Sequence, residues 1–155
     1  MLFDFNTNFK VNPPLREKQD NDALIRALKD GTIDVLTSGH TPHEEESKNL
    51  EFDIADFGMI NLQTFASNLV TLSQAVDLDI LIEKITTNPR MLLGLDVPKI
   101  DVEEKANLTL FDLNKTWTFD EKANLSKSRN SPWMNKEIKG KAVAVFNNGR
   151  SRIEE

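Results

Sequence analysis

The densest group of reactive side chains is Thr37-Ser38-Gly39-His40-Thr41-Pro42-His43-Glu44-Glu45-Glu46, and it holds both histidines of the 155-residue chain. The chain has no cysteine, which removes disulfides, thiolate metal ligands and thiol nucleophiles together. A closed structural zinc site takes four N or S donors, so two imidazoles do not make a metal centre complete within this chain. An H-x-x-H pair outside a helix does not by itself aim both rings at one ion. On local spacing alone, a solvated acidic loop with two incidental histidines is the simpler reading. Its place in the chain favours a site. The cluster follows directly on Thr32-Ile33-Asp34-Val35-Leu36-Thr37, a β-branched, apolar run with the composition of a buried strand. In α/β barrels, loops at the carboxyl ends of strands carry the catalytic groups while the strands hold them rigid.

The elements that would position this cluster can be read on both sides of it. Leu2 to Arg16 ends in Asn12-Pro13-Pro14-Leu15-Arg16, where two prolines fix φ and remove two donors, so a rigid loop is expected. Glu17 to Lys29 carries Ala23, Leu24, Ala27 and Leu28 on one helical face and is followed by Gly31, the pattern of a helix and its stop. Helix, glycine turn and buried strand form the closing half of a βαβ unit. Ser38 to Gly58 is then a long polar loop, of a length that is usually functional or mobile. Asn61 to Gln74, with Leu62, Phe65, Ala66, Leu69 and Val70, and the segment with Leu78, Leu81, Ile82 and Ile85 read as one-sided helices. Thr87-Asn88-Pro89 opens a further short helix that Gly94 ends. After Pro98, alternating runs at Asn107–Leu110, Thr116–Phe119 and Ala142–Phe146 mark a small β region. The expected division is 1–97 and 98–155, α/β and then mostly β. A single buried strand leaves both edges unpaired, so residues 1–97 require another copy, another chain or a larger α/β protein to complete a sheet.

Composition narrows the partners. Net charge is -6, and the longest cluster of basic residues is Lys122 to Arg129 with polar spacers, so a nucleic-acid surface is not expected. No stretch reaches the roughly 20 apolar residues that span a bilayer. Asp4 and the early asparagines interrupt any secretory apolar core. Cytoplasmic location is the expectation, and the N-x-S/T sequons at Asn107, Asn114 and Asn124 read as chance matches.

Taken in order, Asn12-Pro13-Pro14-Leu15-Arg16, the helix, Asp30-Gly31-Thr32-Ile33-Asp34 and Ser38-Gly39-His40-Thr41-Pro42-His43-Glu44-Glu45-Glu46-Ser47-Lys48 resemble the last barrel portion of the dihydroorotases. Phe52 to Gly58, Glu104 to Asp112 and Ser126-Lys127-Ser128-Arg129-Asn130-Ser131-Pro132-Trp133 look like that family's site loop and its carboxyl-terminal β segment. The resemblance implies the carboxyl-terminal part of an amidohydrolase-type (β/α)8 barrel with a small flanking β domain, incomplete in this chain. It implies reversible hydrolysis of the cyclic amide of dihydroorotate to N-carbamoyl-L-aspartate in pyrimidine synthesis. It also implies one or two zinc ions that make hydroxide and polarise the amide carbonyl.

By the same resemblance, Asn12 and His43 match substrate-binding residues, and Phe57 and Gly58 match a pair whose backbone lines the substrate site. The chemistry fits: a carboxamide can donate and accept toward a pyrimidine ring, an imidazole suits a carboxylate or carbonyl, and glycine permits close approach. Without the resemblance, Asn12 would read as a turn residue before proline. His40 receives no role beyond packing. The family pattern Asp-His-x-Pro-His is broken at Gly39, where the carboxylate that binds metal and shuttles the proton is lost. General acid-base catalysis is worth on the order of 10² to 10⁴ in rate. The family's H-x-H motif is absent from these residues.

Two readings follow. One is a dihydroorotase-type enzyme portion, inactive as an isolated chain and binding no zinc alone. The other is a non-catalytic, pseudoenzyme-like scaffold that partners aspartate transcarbamoylase. A homo-oligomer fits either. A third possibility is a decayed fragment whose apolar helix faces would aggregate.

Overall fold

A computed structural model of the protein describes residues 4–154. Met1 to Phe3, which open the amino-terminal loop read above, lie outside the described residues, as does Glu155.

Helix α1 spans Lys18–Lys29, α2 Glu45–Lys48, α3 Phe65–Leu72, α4 Leu78–Ile85 and α5 Thr87–Leu92. Strands follow as β1 Leu108–Thr118, β2 Glu137–Asn147 and β3 Arg150–Ile153. Among the described residues every one of these helices precedes residue 97 and every one of these strands follows residue 98. The 3.6-residue apolar period accounts for α1 and α4, and the Thr87-Asn88-Pro89 start and Gly94 stop account for α5; the bounds of all three lie within two residues of those read from the sequence. Helix α3 is shorter than its pattern. Asn61 Oδ1 accepts from Thr64 Oγ1 at 2.8 Å, a local side-chain bond that competes with helix, and Leu62 stays exposed.

The expected strand at Thr32–Thr37 does not form. A parallel strand needs a neighbour about 4.8 Å away on its hydrogen-bonding edge. Here the backbone bonds elsewhere: the Leu36 amide donates to the Lys84 carbonyl at 3.0 Å, and Asn88 Nδ2 donates to the Asp34 carbonyl at 3.1 Å. Helices α4 and α5 thus hold this segment, in place of a second strand.

Two compact units are present, each assembled from separate stretches. The first takes the residues up to Ala23, Ser38–Phe65 and Thr118–Ile138; the second takes Leu24–Thr37, Ala66–Trp117 and the residues from Lys139 on. Ala55, Ile60 and Phe119 are buried in the first unit, and Leu28, Leu69, Val76, Leu81 and Ala144 in the second.

In the sheet, β2 lies between β1 and β3. Strands β2 and β3 are antiparallel with Asn147 opposite Arg150 and Ala144 opposite Ile153. They turn on Asn148-Gly149, both at positive φ, as a two-residue hairpin loop requires. Glu154, just past β3, bridges to Lys141 and Lys115, whose hydrogen bonds and charge hold its carboxyl below the usual range.

Candidate functional site

Everything predicted to carry chemistry falls in the first unit. Beyond Thr37 the chain makes a parallel bridge, His40 to Met59, with the Thr41 amide donating to the Met59 carbonyl at 2.8 Å. This short pairing brings the histidine cluster beside the loop that ends in Phe57-Gly58.

His43 Nε2 lies 2.9 Å from the Phe57 carbonyl oxygen. A carbonyl only accepts, so Nε2 carries the proton in this bond. The other nitrogen, Nδ1, stands 3.6 Å from the Asp56 carboxylate, an ion pair when the ring is protonated. Gly58 packs under the same ring: a Cβ built there would fall 3.0 Å from His43 Cδ2 and 2.7 Å from Thr41 Cβ. His43, Phe57 and Gly58 are therefore brought together. Their polar groups are engaged within the chain, however. The Gly58 amide donates to the Lys10 carbonyl at 2.8 Å, and its carbonyl accepts from Lys48 Nζ at 3.0 Å and Asn130 Nδ2 at 3.2 Å.

Asn12 is exposed and precedes a cis peptide bond to Pro13. It is two residues from Lys10, whose carbonyl meets Gly58, and among the described residues it forms no hydrogen bond with His43, Phe57 or Gly58. Gly39 is exposed at φ 58, with nothing within 4 Å of a Cβ built on it. Space for a carboxylate side chain is therefore present. His40, to which the sequence assigned only packing, has a structural task. Its Nδ1 accepts from the Asn61 and Leu62 amides, each at 3.1 Å, while Asn61 Nδ2 donates to the Ser38 carbonyl at 2.8 Å.

Two buried lysines organise the loop around Phe57, and sequence reasoning missed both. Lys48 is 6% exposed; its ammonium donates to the Asp56 carbonyl at 2.7 Å as well as to Gly58. Burial, and secondarily the charge of Lys10, push its pKa down, while Asp56 opposes the shift. Lys10 Nζ donates to the Asp53 carbonyl at 2.8 Å and lies over the Phe57 ring, 4.5 Å from its centroid. A cleft of about 390 Å³ opens beside His43, with Glu44, Lys48, Lys127, Arg129 and Asn130 among its walls.

A zinc site can be tested on these donors. Among the described residues no three His, Asp or Glu side chains converge as ligands. His40 Nδ1 and His43 Nε2 already serve backbone groups. The residues present do not fit a complete zinc centre.

Comparison with known proteins gives this geometry a context. No family model matches the chain. The dihydroorotase of Caldicellulosiruptor saccharolyticus is 40% identical over 149 residues, which cover 94% of this chain and 35% of that protein. The dihydroorotase of Aquifex aeolicus is 40% identical over 145 residues, covering 92% of this chain and 34% of the relative. The chain is a relative of the dihydroorotases. It spans about a third of the length of the curated dihydroorotases it matches. Among solved structures, the L-hydantoinase (dihydropyrimidinase) of Arthrobacter aurescens superposes with a TM-score of 0.78 at 27% identity, over 97% of this chain and 35% of that one. The D-hydantoinase (dihydropyrimidinase) of a Thermus species does so with a TM-score of 0.79 over 96% and 34%, at 24% identity, a likeness of fold alone. The chain itself is an α/β piece with an open three-stranded sheet. No helix among the described residues is long and apolar enough to cross a membrane.

Proposed function

We propose that this chain is the carboxyl-terminal portion of a dihydroorotase-type cyclic amidohydrolase. In this reading, residues 1–97 complete an amidohydrolase-type (β/α)8 barrel and residues 98–155 belong to its flanking β domain. The observation that carries it is the 40% identity to a dihydroorotase over 94% of the chain. The meeting of His43 with Phe57 and Gly58 supports it.

The zinc that such enzymes use would supply hydroxide and polarise the scissile amide, and its ligands must come from the remaining two thirds of the protein. The residues of this chain bind and orient. Asn12 offers an exposed carboxamide to the ring of dihydroorotate. His43 sits at the cleft with its Nδ1 edge shared with Asp56 and can accept or donate there according to its protonation. The Phe57-Gly58 backbone shapes the wall. As an isolated chain it turns nothing over and binds no zinc of its own.

Gly39 favours a second reading. Where the family pattern has a carboxylate, this chain has none to move the proton, as expected of a non-catalytic, dihydroorotase-like scaffold that partners aspartate transcarbamoylase.

One chimera tests both readings. The amino-terminal two thirds of the Caldicellulosiruptor saccharolyticus dihydroorotase is joined to this chain, once with Gly39 and once with Gly39→Asp, and hydrolysis of dihydroorotate is followed. Turnover that rises on the order of 10² or more with the carboxylate supports the enzyme reading. Folded chimeras that both lack turnover overturn it and leave the scaffold, which co-purification with aspartate transcarbamoylase then tests.

A further inference from the structure

Asn130 is 5% exposed and lies on the connection between β1 and β2, 87 residues from His43 in sequence. Its side chain makes three hydrogen bonds, all to backbone. Oδ1 accepts from the His43 amide at 3.2 Å. Nδ2 donates to the Thr41 carbonyl at 3.0 Å and the Gly58 carbonyl at 3.2 Å. The orientation of the amide is fixed by its partners: turned over, NH₂ would face an N–H and the carbonyl oxygen two carbonyls. The Asn130 main-chain carbonyl also accepts from the Ile60 amide at 2.9 Å. A single carboxamide therefore bonds to both sides of the His43 ring's seat. Thr41 and His43 lie on one side, and on the other is Gly58, next to the carbonyl that takes the ring proton.

We propose that Asn130 is a positioning residue for His43, setting the imidazole against the Phe57 carbonyl by locking residues 41–43 to residue 58. No other side-chain type fits these three partners at this length. Aspartate keeps shape and acceptor but offers no donor, glutamine is a methylene too long, and alanine leaves buried backbone groups unpaired. The functional weight of the proposal rests on the reading of His43 as a substrate contact, but the positioning itself is measurable without substrate.

The test uses the full chain labelled with ¹⁵N, reading the imidazole nitrogen resonances and the amide exchange of His43, with His40 as internal reference. Asn130→Ala should speed exchange of the His43 amide about tenfold, the worth of one hydrogen bond, and move the ring resonances. Asn130→Asp should split the two readouts. The His43 amide stays protected by the retained oxygen, while the ring resonances shift because a carboxylate now faces the Thr41 and Gly58 carbonyls. Ser131→Ala, a buried neighbour whose hydroxyl accepts from the Trp133 amide, should move neither. If Asn130→Ala does not fold, the aspartate variant carries the test. A folded Asn130→Asp protein with wild-type His43 ring resonances overturns the proposal. So does a Ser131→Ala protein that moves them equally, which would mean general loosening. A chimera without turnover would sink the enzymatic reading and leave this result standing.

Discussion

The ring nitrogen Nε2 of His43 donates to the main-chain carbonyl of Phe57 across 2.9 Å, so a residue read as a substrate contact also closes the loop it faces. Removing it should have two effects. His43→Ala leaves the Phe57 carbonyl to water and costs about 1 kcal/mol, readable as a lower urea midpoint with an unchanged slope. Amide exchange should quicken across residues 53–58 and stay unchanged in β2 and β3. Uniform acceleration would mean that His43 does not close the loop specifically.

Gly39 should accept a carboxylate with little loss of stability. The position is open to solvent, and a Cβ there meets nothing within 4 Å, so the cost is conformational alone. At φ 58 an L-residue loses about 1–2 kcal/mol, and aspartate loses least among side-chain-bearing types because it bonds locally to the backbone. Gly39→Asp should therefore fall within about 1 kcal/mol of wild type in urea unfolding, whereas the β-branched Gly39→Val should fall further. Equal losses for the two variants would show that packing, not φ, sets the cost.

How much of this was legible in the sequence depends on what kind of force fixed each feature. The α1 and α4 patterns are local, and a 3.6-residue period of apolar side chains suffices to find them. Thr32–Thr37 has strand composition, yet strand is a relation between two chains or segments, and among the described residues no strand pairs with it. The β2–β3 hairpin carries a strong short-range signal in Asn148-Gly149, but β3 is a polar Arg-Ser-Arg-Ile run whose composition does not mark a strand. At the site, the resemblance named His43, Phe57 and Gly58, which lie side by side. It could not deliver Lys48 or Asn130, because residue type argues for the surface. Only the backbone groups that each one reaches explain its burial: carbonyls of the following loop for Lys48, and carbonyls and an amide far along the chain for Asn130.

Lys48 gives the site region an alkaline signature. Its folded pKa lies below the ordinary 10.5, so in the window just under that value the unfolded chain binds more protons than the folded one. Stability then rises with pH through the window, since the slope follows the difference in bound protons. The charged form carries a burial penalty below it. Urea unfolding of wild type should show this rise as pH approaches 10.5, and Lys48→Met should not, although at neutral pH that variant loses about 1–3 kcal/mol by leaving the Asp56 carbonyl without its donor. Parallel pH curves for the two proteins would refute the assignment to Lys48.

Gly58 is the tightest point of the site, and the contacts there allow a test by relief. Its φ of 144 is one that side-chain-bearing residues avoid. A Cβ would stand 2.7 Å from Thr41 Cβ, 2.8 Å from Thr41 Cγ2 and 3.0 Å from His43 Cδ2. Gly58→Ala combines an unfavourable backbone with overpacking, each worth about 1–3 kcal/mol, and should shift the His43 ring because the loop cannot retreat while Lys48 and Asn130 hold its carbonyl. Thr41→Gly removes the two closest contacts and leaves φ and the His43 contact in place. The double variant should therefore be more stable than the sum of the two single changes by about 1 kcal/mol or more, a coupling of the size seen between residues in direct contact. Strict additivity would mean that the loss at Gly58 is entirely conformational, and that the close approach of residues 41 and 58 plays no part in seating His43.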